Sequence, residues 1–70
     1  MSQYMIVIER DGESWGAYAP DLPGLGVAGS SREEVERLAR EAVTNHVSLL
    51  RELGEQIPEP RAEVAYVGVA

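Results

Sequence analysis

The longest periodic alternation of apolar and polar positions runs from Ser31 to Gly54, SREEVERLAREAVTNHVSLLRELG. At about 100° per residue, Val35, Leu38, Ala39, Ala42, Val43, His46, Leu49, Leu50 and Leu53 share roughly half the circumference, with Val47 at the edge. Glu33, Glu34, Arg37, Arg40, Glu41, Thr44, Asn45, Ser48, Arg51 and Glu52 take the other half. This spacing predicts one amphipathic helix. Ser31 and Glu34 form a capping box, in which the hydroxyl accepts a first-turn N–H and the carboxylate reaches back to the N–H of the cap. Glu33 and Glu34 suit the positive end of the helix dipole. Gly54 favours a left-handed closing residue, with Pro58 beyond it. Glu33–Arg37 and Glu36–Arg40 have i,i+4 spacing. A helix of about 22 residues is ~33 Å long and needs a surface to lie on.

Two-residue periodicity supplies that surface. Tyr4 to Glu9 (YMIVIE) and Ser14 to Ala19 (SWGAYA) read as strands on either side of Asp11-Gly12, a favoured pair for a type I′ hairpin. With Asp11 and Gly12 as the loop, Arg10 faces Glu13, Ile8 faces Trp15, Ile6 faces Ala17 and Tyr4 faces Ala19, all on one side of the sheet. Met5, Val7, Glu9, Ser14, Gly16 and Tyr18 occupy the other side. Pro20-Asp21-Leu22-Pro23-Gly24 reads as a rigid turn, and Leu25 to Ala28 as a short third strand. After the helix, Ile57-Pro58-Glu59-Pro60 is stiff and extended. Ala62 to Val69 (AEVAYVGV) is apolar on both faces and reads as a fourth, covered strand. A right-handed crossover returns it beside the first. The expected fold is α+β, β-β-β-α-β, a four-stranded mixed sheet of order 3-2-1-4 with the helix on one face, in a single domain over residues 1–70. The uncovered apolar face, with Met5, Val7, Tyr18, Val67 and Val69, predicts a homodimer or homotetramer.

Composition narrows the function. Seventy residues without cysteine have neither disulfides nor thiolate metal sites to stabilise a small core. With no basic-then-apolar leader and no membrane-length apolar run, a soluble cytoplasmic protein is expected. Twelve acidic residues against six arginines give a net charge of −6. That balance argues against direct nucleic-acid binding and suits a basic protein partner.

Catalytic chemistry finds no foothold in the sequence. None of the serines has a G-x-S-x-G setting, and His46, on the apolar helix face, has no second ligand at metal spacing. Glu9, Asp11 and Glu13 gather at the hairpin, but the turn, the Arg10 pair and solvent account for them. No catalytic residue, metal or cofactor is assigned.

Taken in order, Y-x-I-x-I-E, the D-G turn, PDLPG at 20–24, G-S-S-R-E-E-V at 29–35 and G-E-Q-I-P-E-P at 54–60 resemble the N-terminal domain of HicB-like antitoxins. The resemblance implies a partial ribonuclease H-like fold, dimers or tetramers, and a small basic HicA-like toxin as partner. This toxin cleaves mRNA and is neutralised when its active surface is occluded. The family's ribonuclease H-like architecture carries no nuclease activity over, because the metal-binding carboxylate cluster is not found. Ser31 replaces a common threonine conservatively, and Leu25 stands where a cysteine is frequent. Full-length members usually carry a C-terminal DNA-binding segment. None is read within residues 1–70, so operon repression through DNA is not expected of this polypeptide. Charge and exposure nominate Asp21, Leu22, Glu33, Glu34, Glu41 and Glu52 as toxin contacts. The alternative is an orphan oligomeric scaffold or small-ligand-binding module of the same fold.

Overall fold

The computed structural model describes residues 3–70. Three strands, β1 (Val7–Asp11), β2 (Ser14–Tyr18) and β3 (Gly26–Gly29), precede one helix, α1 (Arg32–Glu52). The sheet is antiparallel throughout, in the order β1-β2-β3.

The hairpin register differs from the expected one by two residues. Asp11 faces Ser14, Arg10 faces Trp15 and Ile8 faces Ala17, so the two-residue loop is Gly12-Glu13. Gly12 has φ +65°, and no non-glycine residue among those described has positive φ. A positive first and negative second loop residue is the type II′ pattern, where glycine belongs in the first position. A slip of two leaves every side chain on its original face. Ile6, Ile8, Trp15 and Ala17 therefore still point toward the helix, where they meet Val35 and Ala39. The expected Arg10–Glu13 pair is replaced. Arg10 Nε donates to the Gly12 carbonyl at 2.8 Å, and the guanidinium lies 5.7 Å from the Trp15 ring centroid, within cation–π range.

Between β2 and β3 the chain makes two consecutive turns, closed by Leu22 N–H to the Ala19 carbonyl (3.0 Å) and Leu25 N–H to the Leu22 carbonyl (3.2 Å). Pro20 and Pro23 pre-set the second residue of each turn, and Gly24 supplies the positive φ (+83°) of a type II turn. The residue shared by the two turns, Leu22, points inward and is completely buried.

The helix follows its sequence signals at both ends. Ser31 is extended (φ −146°, ψ 160°) and its Oγ accepts the Glu34 N–H at 3.1 Å. Glu34 Oε1 in turn accepts the N–H of Ser30, one residue before the cap, at 2.9 Å. At the far end, Gly54 (φ +69°) donates to Arg51 O at 3.1 Å and Glu55 to Leu50 O at 2.9 Å. These two bonds form a Schellman closure. Twenty-one residues extend about 31 Å, whereas strands of five residues span about 17 Å, so the helix outruns its sheet. Its buried residues, Val35 and Ala39, lie in its first half; Leu49, in its last turn, and Leu53, its C-cap, remain 50% and 60% exposed.

The fourth strand expected over Ala62–Val69 is not formed, and with it the 3-2-1-4 order falls. Two contacts reroute the chain. Tyr4 Oη donates to the Pro58 carbonyl, and Asp21 Oδ2 accepts the N–H groups of Arg61 (3.1 Å) and Ala62 (3.0 Å). Residues 58–62 thus run from Tyr4, which precedes β1, to Asp21 in the β2–β3 loop. Beyond them Val64, Tyr66, Val67 and Val69 are 65–92% exposed.

Candidate functional site

The residues nominated for partner contact separate into distinct groups in the structure. Leu22 is removed from any surface, since its side chain is a core anchor with no exposure. Asp21, half-buried, clips the segment after the helix through its two backbone hydrogen bonds. Glu34, also half-buried, is engaged in the cap. Gly29 makes room for it, because a Cβ there would come within about 3.1 Å of Glu34 Cγ, closer than such atoms ordinarily approach. Glu33, Glu41 and Glu52 are exposed on the helix.

The exposed side of α1 is a ladder of both signs of charge. Arg32 reaches Glu36 at 2.8 Å, Arg40 reaches the same carboxylate at 3.3 Å, and Arg37 turns forward to Glu41 at 3.5 Å instead of back to Glu33. Hydrogen bonds from Arg32 and then Arg40 hold the Glu36 carboxyl below its ordinary pKa. A shallow groove of about 360 Å³ runs along this ladder between Arg32, Glu33, Glu36, Arg37, Arg40 and Glu41. Within Arg32–Glu52 five carboxylates face four guanidiniums, a net charge of −1. The remaining −5 of the chain's −6 lies elsewhere: seven carboxylates (Glu9, Asp11, Glu13, Asp21, Glu55, Glu59 and Glu63) against Arg10 and Arg61. The hairpin carboxylates Glu9, Asp11 and Glu13 are all exposed. They share an end of the fold with the helix N-terminus, because Gly29, just before the cap, pairs with Trp15.

On the sheet face away from the helix, Val7 pairs with Tyr18. Met5 and Val7 are half-buried there, and Tyr18 is 42% exposed. Val67 and Val69 do not join that face; they are on the extended tail. His46 is half-buried on the helix. Among the described residues no charged side chain is buried, no buried polar side-chain atom lacks a hydrogen-bond partner, and no three of His, Asp and Glu converge as metal ligands. No helix of the described residues is long and apolar enough to cross a membrane.

The parts fit an interaction module: a small α+β frame, two open sheet edges, an apolar tail and concentrated negative charge. The comparison with known families gives the class a name. The profile described as HicB_like antitoxin of bacterial toxin-antitoxin system matches residues 4–67, and the chain belongs to that family. The family is generally non-catalytic, and its members pair with HicA toxins. No curated protein and no solved structure matches the chain.

Proposed function

We propose that this chain is a cytoplasmic antitoxin that binds a small basic HicA-type mRNA-cleaving toxin and neutralises it by covering its active surface. The family match over residues 4–67 is the observation that carries the reading, and the charge distribution supports it. Opposite potentials speed encounter and disfavour wrong partners. Glu33, Glu41 and Glu52 of the helix are available for such an encounter, as are Glu9, Asp11 and Glu13 at the adjoining hairpin. The hairpin set carries the larger uncompensated charge, since Glu41 is already paired with Arg37.

Association kinetics with an inactive HicA-type toxin test this reading. Reversing Glu9, Asp11 and Glu13 to lysine lowers the association rate by about tenfold or more and flattens its salt dependence. Reversing Glu33, Glu41 and Glu52 has the smaller effect. Unchanged rates in both variants would place the docking surface elsewhere. Failure of the unaltered chain to bind any HicA-type toxin encoded beside it would favour the orphan scaffold.

A further inference from the structure

We propose that residues 64–69 become a β-strand by pairing with the free outer edge of β1 in a second copy of this chain, whose own tail is received in return. The segment VAYVGV has no charge and no proline, and four of its six residues are β-branched or aromatic. Yet it pairs with nothing: Tyr66 and Val69 are each 92% exposed, Val67 85% and Val64 65%. A strand-competent apolar segment in this state seeks a sheet edge.

The structure offers β1 as that edge. It ends the sheet order and has no proline to blunt it. Its five residues span about 17 Å, against about 20 Å for the six of the tail. The opposite edge, β3, has four residues with glycine at both ends and runs almost at once into the helix. Pairing within one copy is opposed by the clip. Asp21 holds Arg61 and Ala62 at the β2–β3 loop. To pair within its own copy the chain would have to turn from that loop to the far edge of β1 directly after Ala62.

Surface area gives the same answer. The chain exposes 5555 Å², whereas a folded monomer of this mass exposes about 4,300 Å². The excess is about 1,300 Å² per chain. Reciprocal exchange removing it from both copies buries about 2,500 Å² in total, within the range of obligate homodimers. The radius of gyration, 13.6 Å, likewise exceeds the ~11 Å of a compact 70-residue domain.

The proposal does not rest on the antitoxin reading, and either can fail without the other. The test is sedimentation together with isotope-filtered NMR on a mixture of labelled and unlabelled full-length chain. The expected result is a species of twice 7.6 kDa, with contacts between residues 64–69 of one copy and β1 of the other. The double variant Val67→Lys, Val69→Lys is expected to sediment as a monomer while keeping the helix and three-stranded sheet. A monomer at hundreds of micromolar would overturn the proposal. So would tail-to-β1 contacts confined to one copy, or a dimer joined only through the Val7–Tyr18 face. If the lysine variant does not fold, the cross-copy contacts of the unaltered chain decide the matter alone.

Discussion

Leu22 separates a docking role from a structural one. Its side chain is fully buried between two consecutive turns, so Leu22→Ala removes three buried carbon groups. At about 0.8 kcal/mol each, the transfer contribution is about 2.4 kcal/mol. The cavity left behind brings the total to about 3 kcal/mol, inside the range for buried Leu→Ala changes. A 70-residue domain has about 3.5–10 kcal/mol to lose, so the change removes roughly 30% or more of the total. Urea unfolding at fixed protein concentration reads it directly. With a slope near 1 kcal/mol per molar, the midpoint falls by about 3 M. Leu22→Met, which nearly conserves volume, costs less than about 1.5 kcal/mol and keeps the loop assayable. Leu53→Ala, at a position 60% exposed, shifts the midpoint little. An unchanged midpoint in Leu22→Ala, with weaker partner binding, would show that Leu22 is a contact residue and refute the argument.

Asp21→Ala frees the backbone N–H groups of Arg61 and Ala62, and hydrogen exchange at Ala62 accelerates about tenfold, the equivalent of roughly 1.5 kcal/mol for a partly exposed pair of charge-assisted bonds; unaltered exchange would mean that the clip does not hold the tail. Ser31→Ala leaves the Glu34 N–H without its side-chain acceptor and costs about 1 kcal/mol in thermal or urea unfolding. Gly54→Ala puts a Cβ at φ +69° and costs about 1 kcal/mol, seen as fraying of the last helical turn by NMR. The Glu36 carboxyl titrates below its ordinary value because Arg32, and then Arg40, hydrogen-bonds its charged form. A lowered folded-state pKa means that this contribution is present at neutral pH and is lost as pH falls through that pKa. Carbon-detected NMR titration of Arg32→Gln should therefore find the Glu36 midpoint moved upward.

What was legible in the sequence was mostly local. The helix, its serine cap and its glycine closure are each set by residues within a few positions of one another, so Ser31, Glu34 and Gly54 announce them. The inward face of the hairpin was legible for a different reason. Strand alternation has a period of two, so reading Asp11-Gly12 as the loop in place of Gly12-Glu13 moved partners along the strand without turning any side chain over. Non-local contacts were harder to read. Val64 to Val69 has the composition of a strand, but a strand exists only where an edge receives it, and the Asp21 clip acts across 40 residues. The burial of Leu22 did leave a signal: an apolar residue between Pro20 and Pro23, shared by two turns, is carried inward by both. Net charge hid its own distribution. The Arg32, Arg37 and Arg40 ladder nearly neutralises the helix, and the uncompensated carboxylates lie on the hairpin and the segment after the helix.

The function proposed for this chain is neutralisation of a basic toxin by covering its active surface, a reading supported by family membership and by the negative hairpin end. In vitro cleavage of mRNA by a HicA-type toxin that binds this chain, titrated with the chain, tests that proposal. Cleavage is expected to fall in proportion to added chain and to stop near stoichiometric equivalence, with inhibition weakening as salt rises. Cleavage that continues undiminished at a tenfold excess of folded chain would contradict it.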